Sequence, residues 1–303
     1  MFLPGTPRLR SLAMTDTQTP EDREERRELA RRTVLAAGGV AVTAVGVGGA
    51  FAADAQASDP EDACYTLTSE LVEGPYYIDA DKLRQDVTED QAGIPLHLRL
   101  KVIDAETCRP LRNAAVDIWH CNASGVYSGY EAMSSGSGGG GPTGPPPSGT
   151  PTATPTGGPP PGGGGGHQEP TDDKRYLRGT WRTDRHGQVA FRTVFPGWYQ
   201  GRCVHIHVKV HVDGTWTDAG YEGGHACHTG QLFFDERSVL RTYDVEPYAS
   251  NTTTRTTLDE DTIYPDNGHE GGLLYLEYDR RHIARGVRAH LTLGVAPDET
   301  HDG

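Results

Sequence analysis

Val204-His205-Ile206-His207-Val208-Lys209-Val210-His211-Val212 alternates apolar and polar residues without a break. A period of two marks a β-strand with one apolar and one polar face. His205 and His207 therefore point the same way, about 6.6 Å apart at Cα for a rise of about 3.3 Å per residue. Two imidazoles at that separation can share one metal ion. His211 lies about 13 Å beyond His207 on the same estimate, too far to join them. A blander reading also fits, in which the polar residues are simply the solvated face of a sheet. Tyr199 and Arg202 weigh against it, because a Pro196-Gly197 turn delivers them beside the strand. Trp119-His120-Cys121-Asn122-Ala123-Ser124-Gly125-Val126-Tyr127 offers a second phenol, past a turn over residues 122–125 that follows an apolar strand.

Outward from this strand the chain breaks into short apolar or alternating runs between Gly/Pro turns. Strands are expected over 96–103, 115–119, 180–183, 188–194, 204–212, 231–234, 273–278 and 289–295. Asp184-Arg185-His186-Gly187 is a hairpin turn, and 235–241 is one short helix. Many short strands with no repeated βα unit argue for a mainly all-β fold, an antiparallel two-sheet β-sandwich with few short helices. Residues 134–166 are Gly, Pro, Ser and Thr, with Ala153 the sole exception. Such a stretch buries too little apolar area to offset its ordering entropy, so a disordered loop is expected over about 134–170. Closure entropy grows only with the logarithm of loop length, so the sandwich tolerates the insertion.

At the front, Arg31-Arg32-Thr33-Val34-Leu35 opens an apolar, Gly/Ala-rich run followed by Ala53-Asp54-Ala55 and Ala55-Gln56-Ala57. It reads as a twin-arginine export signal with small-residue cleavage sites, the alternative being a single membrane anchor. The expected organisation is a cleaved region 1–57 and one domain, 58–303, interrupted by the loop. The protein would be extracellular or attached to the cell envelope, meeting the membrane only during export. A net charge of −14 and the lack of a basic stripe argue against nucleic acid. Of the five cysteines, Cys203 and Cys227 flank the histidine strand and its return loop and are the first-choice pair, though spacing does not fix connectivity.

Glu73-Gly74-Pro75-Tyr76-Tyr77, Asp117-Ile118-Trp119 through Tyr127, Arg178-Gly179-Thr180-Trp181-Arg182-Thr183-Asp184, Phe195-Pro196-Gly197-Trp198-Tyr199, the segment from Arg202 to His207, and Gly230-Gln231-Leu232-Phe233-Phe234 follow one another along most of the chain. In that order they resemble the intradiol ring-cleavage dioxygenases, of the catechol and protocatechuate type in a secreted form. The resemblance implies one non-haem Fe(III) per chain, held by Tyr127, Tyr199, His205 and His207. It implies O2 and a small aromatic diol as substrates, with cleavage between the two hydroxylated carbons to a muconate-type diacid. Tyr199 would act as general base, Arg202 would stabilise negative charge developing on the ring, and Gln231 would hydrogen-bond the intermediate. Without the resemblance, Arg202 reads as a surface ion pair and Gln231 as a strand-edge polar residue. The residue types suit the chemistry, since anionic phenolates favour the ferric state. A tyrosine titrates near 10, so binding as phenolate at pH 7 needs about 3 units of depression, roughly 4 kcal/mol.

Other residues are read more plainly. His120 takes a hydrogen-bonding role, and His225 and His228 lie in a solvated Gly-rich loop. Tyr76 and Tyr77 either touch substrate or simply pack. Trp181 departs from the family pattern and would reshape the substrate pocket. Two rival readings remain: an exported cupin-like metal protein, which would need a carboxylate where this strand has Val210 and His211, and a non-catalytic β-sandwich binding module using Trp181, Trp198 and Trp216 as platforms. The choice among aromatic diols, and assembly into a homo-oligomer, stay open.

Overall fold

β1 (Pro95–Asp104) sends Leu96, Leu98, Leu100 and Val102 to one side and leaves His97, Arg99 and Lys101 exposed on the other. This alternation, repeated in β4 (Gln188–Val194) and β10 (Val287–Val295), builds the first sheet, whose strand order is β4-β1-β10-β9 with β9 at Tyr275–Tyr278. The second sheet runs β3-β2-β5-β8, from β3 (Arg178–Arg182), β2 (Ala115–Trp119), β5 (His205–Val212) and β8 (His225–Phe233). The computed structural model describes residues 64–79, 82–134, 168–269 and 271–301. All of these lie in the unit Ala57–Gly303. The expected signal region 1–57 and the Gly/Pro insertion from 135 to 167 fall outside the described residues. Among the described residues no helix is long and apolar enough to cross a membrane.

Between the sheets lies the main core. Leu96, Leu98, Leu100, Phe191, Leu291 and Leu293 from the first sheet meet Val116, Ile118, Ile206, Val208, Val210 and Leu232 from the second. Each such side chain contributes about 1.5–3 kcal/mol on leaving water. The sandwich is antiparallel as expected except at one place: β10 runs parallel to β1, from Leu96↔Val287 to Asp104↔Val295. The chain re-enters the first sheet at β9 only after it has built the second, and β10 then lies next to β1 by a long crossover rather than a hairpin. Outside the two sheets the described residues also form a two-stranded ribbon, β6 (Thr215–Trp216) and β7 (Tyr221–Glu222), and the short α-helices α1 (Glu131–Ser134) and α2 (Glu236–Leu240). Asp235 caps α2 by accepting the Ser238 N–H at 2.9 Å.

The second sheet departs from the solvated-face reading. Both faces of β5 are covered, and His205, His207 and Lys209 are all buried. The cover is the segment before β1. Leu71 N–H donates to Thr229 O at 2.8 Å, and Glu73 pairs with Lys209 at 2.5 Å. Tyr77 OH donates to Asp117 Oδ2 at 3.0 Å. A polar face that reads as wet from its own strand is roofed by residues more than a hundred positions away.

β8 begins at His225, earlier than the expected 231, because its pairing with β5 continues to Val212↔His225. His225 and His228 are therefore strand residues, and His228 is buried with Nδ1 2.5 Å from Glu70 Oε1. The cysteine expectation also fails. Cys64 is bonded to Cys108, and Cys203 and Cys227 are both free and buried. Cys203 precedes the start of β5, whereas Cys227 sits beside His228, which pairs with Val210 near its end. About seven residues of strand, roughly 23 Å, separate the two.

Candidate metal centre

Two glycine turns bring the phenols together. Asn122 Oδ1 accepts from Ser124 N at 2.9 Å and Val126 N at 3.1 Å, closing the turn that carries Tyr127. Gly125 stands there at φ +82°, where a Cβ would lie 2.3 Å from Trp198 O. In return, a Cβ on Gly197 would lie 2.2 Å from Ala123 O. The Tyr127 turn and the Tyr199 turn thus touch backbone to backbone, and the two rings meet edge to face at 5.8 Å.

Four polar atoms converge at this point. Tyr127 OH is 3.5 Å and Tyr199 OH 3.3 Å from His205 Nε2, and the two Nε2 atoms of His205 and His207 are 3.1 Å apart. His205 Nδ1 is 2.7 Å from Cys203 O. A carbonyl only accepts, so Nδ1 carries the proton and Nε2 presents its lone pair to the centre. Burial, with Arg202 adding to it, holds His205 down at about 3, and burial holds His207 well below its usual value, so both rings are neutral. His207 stacks on Trp119 at 4.8 Å, and Gly74 lies against its ring, a Cβ there being 3.3 Å from Cε1. Burial pushes both phenols above the ordinary tyrosine value, with Arg202 acting against it at each.

The donor set fits a metal ion. Ligand atoms about 2.1 Å from a common centre and 90–115° apart stand roughly 3.0–3.5 Å from one another, which is the spacing found here. Among the described residues no group of three or more His, Cys, Asp and Glu could hold a metal, so an ion here depends on the phenols. Only a strong local positive charge would bring two buried tyrosines to the anionic form near neutral pH.

Arg202 and Gln231 are brought to the same place. Gln231 lies opposite His207 on β8. Its Oε1 accepts from Arg202 Nη2, and its Nε2 donates to Val72 O at 3.0 Å. Arg202 Nε donates to Asp261 Oδ2 at 2.9 Å. Asp261 is a residue that sequence reasoning missed. It also accepts the backbone N–H groups of Cys203, Ile263 and Tyr264 at 2.7, 2.8 and 3.0 Å. Burial acts to raise its carboxyl, but Arg202 and these N–H groups outweigh it and hold the group low. Nothing in its own neighbourhood of the chain marks it.

The remaining expectations divide. Tyr76 borders the tetrad, its ring 4.8 Å from Tyr127. Tyr77 is engaged elsewhere, with Asp117 at its hydroxyl and Lys209 Nζ 4.7 Å from its ring centroid. His120 has the hydrogen-bonding role, with Nδ1 at Cys121 O and Nε2 at Thr193 Oγ1, both 2.7 Å. Trp181 does not reach the centre. Along β3, Arg178 and Thr180 share the face of Trp119 and Asp117, while Trp181 pairs with Val116 and packs on the main core. One step along a strand reverses the side chain, so Trp181 cannot reshape this pocket.

The family model Dioxygenase_C, described as a dioxygenase, matches residues 72–137. No curated protein matches the chain. Among solved structures, an intradiol ring-cleavage dioxygenase from Tetranychus urticae is 29% identical, covers 78% of this chain and 96% of its own, and superposes with a TM-score of 0.60. A second dioxygenase structure is 28% identical, with 78% and 97% covered and the same TM-score of 0.60. Catechol 1,2-dioxygenase from Acinetobacter sp. ADP1 is more distant, at 21% identity, 78% and 66% covered, and a TM-score of 0.44. Over residues 72–137 the chain is similar to a dioxygenase family model, and it shares its fold with the two nearer structures, one of them an intradiol ring-cleavage dioxygenase.

Proposed function

We propose that the chain is a non-haem Fe(III) dioxygenase that opens a catechol-type aromatic 1,2-diol between its hydroxylated carbons, adding both atoms of O2 to give a muconate-type diacid. The observation that carries this reading is the convergence of two imidazole Nε2 atoms and two phenol oxygens at 3.1–3.5 Å. A ferric ion held by Tyr127, Tyr199, His205 and His207 would supply the Lewis acidity that stabilises phenolates and draws electron density from a bound diol.

The protein's own residues supply the rest. Tyr127 and Tyr76 close the buried side of the centre against water. Tyr199, the less enclosed of the two phenols, is the base that takes a proton from a diol hydroxyl. Arg202, fixed by Asp261, offers its guanidinium to negative charge developing on the ring. Gln231 keeps Arg202 turned toward the centre and offers a polar group beside His207. The cupin reading lacks such support: Asp117, the nearby carboxylate on the sheet, is engaged by Tyr77 and His211. Export by the twin-arginine route is part of the proposal, and the Cys64–Cys108 disulfide suits an oxidising compartment.

The test is visible absorption and O2 uptake of the iron-loaded protein with catechol, beside Tyr127→Phe and Tyr199→Phe. A charge-transfer band that weakens in both variants, with turnover lost in Tyr199→Phe, supports the reading. A colourless iron-loaded protein, or Tyr199→Phe with full colour and turnover, overturns it.

A further inference from the structure

The side of the first sheet facing away from the core carries several basic residues, with Glu277 beside Arg288 at its edge, on a protein of net charge −14. The register sets Arg192, His97 and Arg288 in one row and Arg99 and His290 in the next, with Lys101 beyond, all exposed. Beside this face opens a groove of ≈ 590 Å³ lined by Arg99, Arg112, Arg182 and Arg185 together with Trp181. Among the described residues none of these four arginines has a carboxylate partner. The ion pairs found go instead to Arg84, Arg192, Arg202, Arg255 and Arg285. Asp184, the one acid lining the groove, is already engaged by the N–H groups of His186 and Gln188 at 2.7 and 2.9 Å. The Arg182 guanidinium lies over the Trp216 ring, 5.2 Å from its centroid.

Four guanidiniums and one carboxylate line this groove, so its lining carries a net positive charge. Asp184, whose carboxylate is held low by the N–H groups of Gln188 and His186 and partly by Arg185, offsets one of these charges, and an anion in the groove offsets the rest. The volume is that of a ligand site, and the groove is separate from the metal centre, because its lining includes none of Tyr127, Tyr199, Arg202, His205, His207 and Gln231.

We propose that this groove binds an acidic glycan, a chain of uronate-type sugars, with carboxylates on Arg99, Arg112, Arg182 and Arg185 and a sugar face on the Trp181 indole. Charge complementarity selects an anion. The indole selects a ligand with a flat apolar face, and one charge per sugar ring suits guanidiniums dispersed along a groove.

The test is calorimetric titration of the full-length protein with tetragalacturonate, cellotetraose and a single-stranded DNA oligonucleotide, repeated with Arg99→Gln and Arg182→Gln. Binding of tetragalacturonate alone, weakened about tenfold by each substitution and by added salt, with O2 uptake on catechol unchanged, is the expected result. Equal binding of cellotetraose, tighter binding of DNA, no binding of tetragalacturonate, or variants that bind it as the parent does would each overturn the proposal.

Discussion

Lys209→Met tests whether the histidine-bearing face is buried as described. Lys209 Nζ lies 2.5 Å from Glu73 Oε1, with side-chain exposures of 7% and 5%, and 4.7 Å from the Tyr77 ring centroid. Were β5 a solvated face, the pair would contribute about 0.2–1 kcal/mol. With both groups out of water, removing the ammonium deprives the Glu73 carboxylate of its cation in a low-dielectric setting, which costs about 3–5 kcal/mol. Glu73→Leu alone takes the carboxylate from beside the buried ammonium and costs a similar amount. The double variant Glu73→Leu, Lys209→Met removes both charges and should lie within about 2 kcal/mol of the parent, because apolar pairs of similar volume replace buried ion pairs without large loss. Urea unfolding of the four proteins, compared at constant m, measures the cycle. Single variants within 1 kcal/mol of the parent, or a double variant as unstable as the sum of the singles, would refute the buried-face account.

Gly125→Ala should destabilise by about 3 kcal/mol or more and weaken the iron-loaded visible band, since φ is +82° and the Cβ would lie 2.3 Å from Trp198 O; denaturation midpoints and spectra check both. Asp261→Asn should cost about 2–4 kcal/mol and lower kcat on catechol more than it lowers bound iron, because Arg202 loses its carboxylate while the four tetrad side chains remain; turnover and metal content read this. His120 is held down at about 4 by burial, against an ordinary value near 6.5. Its folded value is below its unfolded one, so the unfolded chain takes up a proton that the folded chain refuses, and stability falls as pH drops from about 6.5 to 4. The loss approaches 3 kcal/mol, and the stability-versus-pH slope over that window should be shallower in His120→Gln. Equal slopes would count against a buried neutral His120.

Local periodicity and turn chemistry carried much of the fold. β2 and β4 fall at 115–119 and 188–194 as expected, and β5 begins one residue after the expected 204. A two-residue repeat fixes which side chains share a face without reference to the rest of the chain. The same arithmetic aims His205 and His207 together, and Pro/Gly turns mark where Tyr127 and Tyr199 leave their strands.

What the repeat cannot encode is what covers each face. Lys209 meets Glu73 across 136 positions and Arg202 meets Asp261 across 59. The buried outer face of β5 and the carboxylate that holds Arg202 therefore exist only once distant segments pack. Cys203 and Cys227 look adjacent in the chain order of one hairpin, yet antiparallel pairing puts them near opposite ends of β5. Trp181 sits in a motif whose neighbours share the face of Trp119 and Asp117, and the alternation of its own strand turns it to the other side. Periodicity is a local property, set by backbone geometry residue by residue; burial, ion pairing and the convergence of four donors are long-range properties, settled only when the two sheets close on each other.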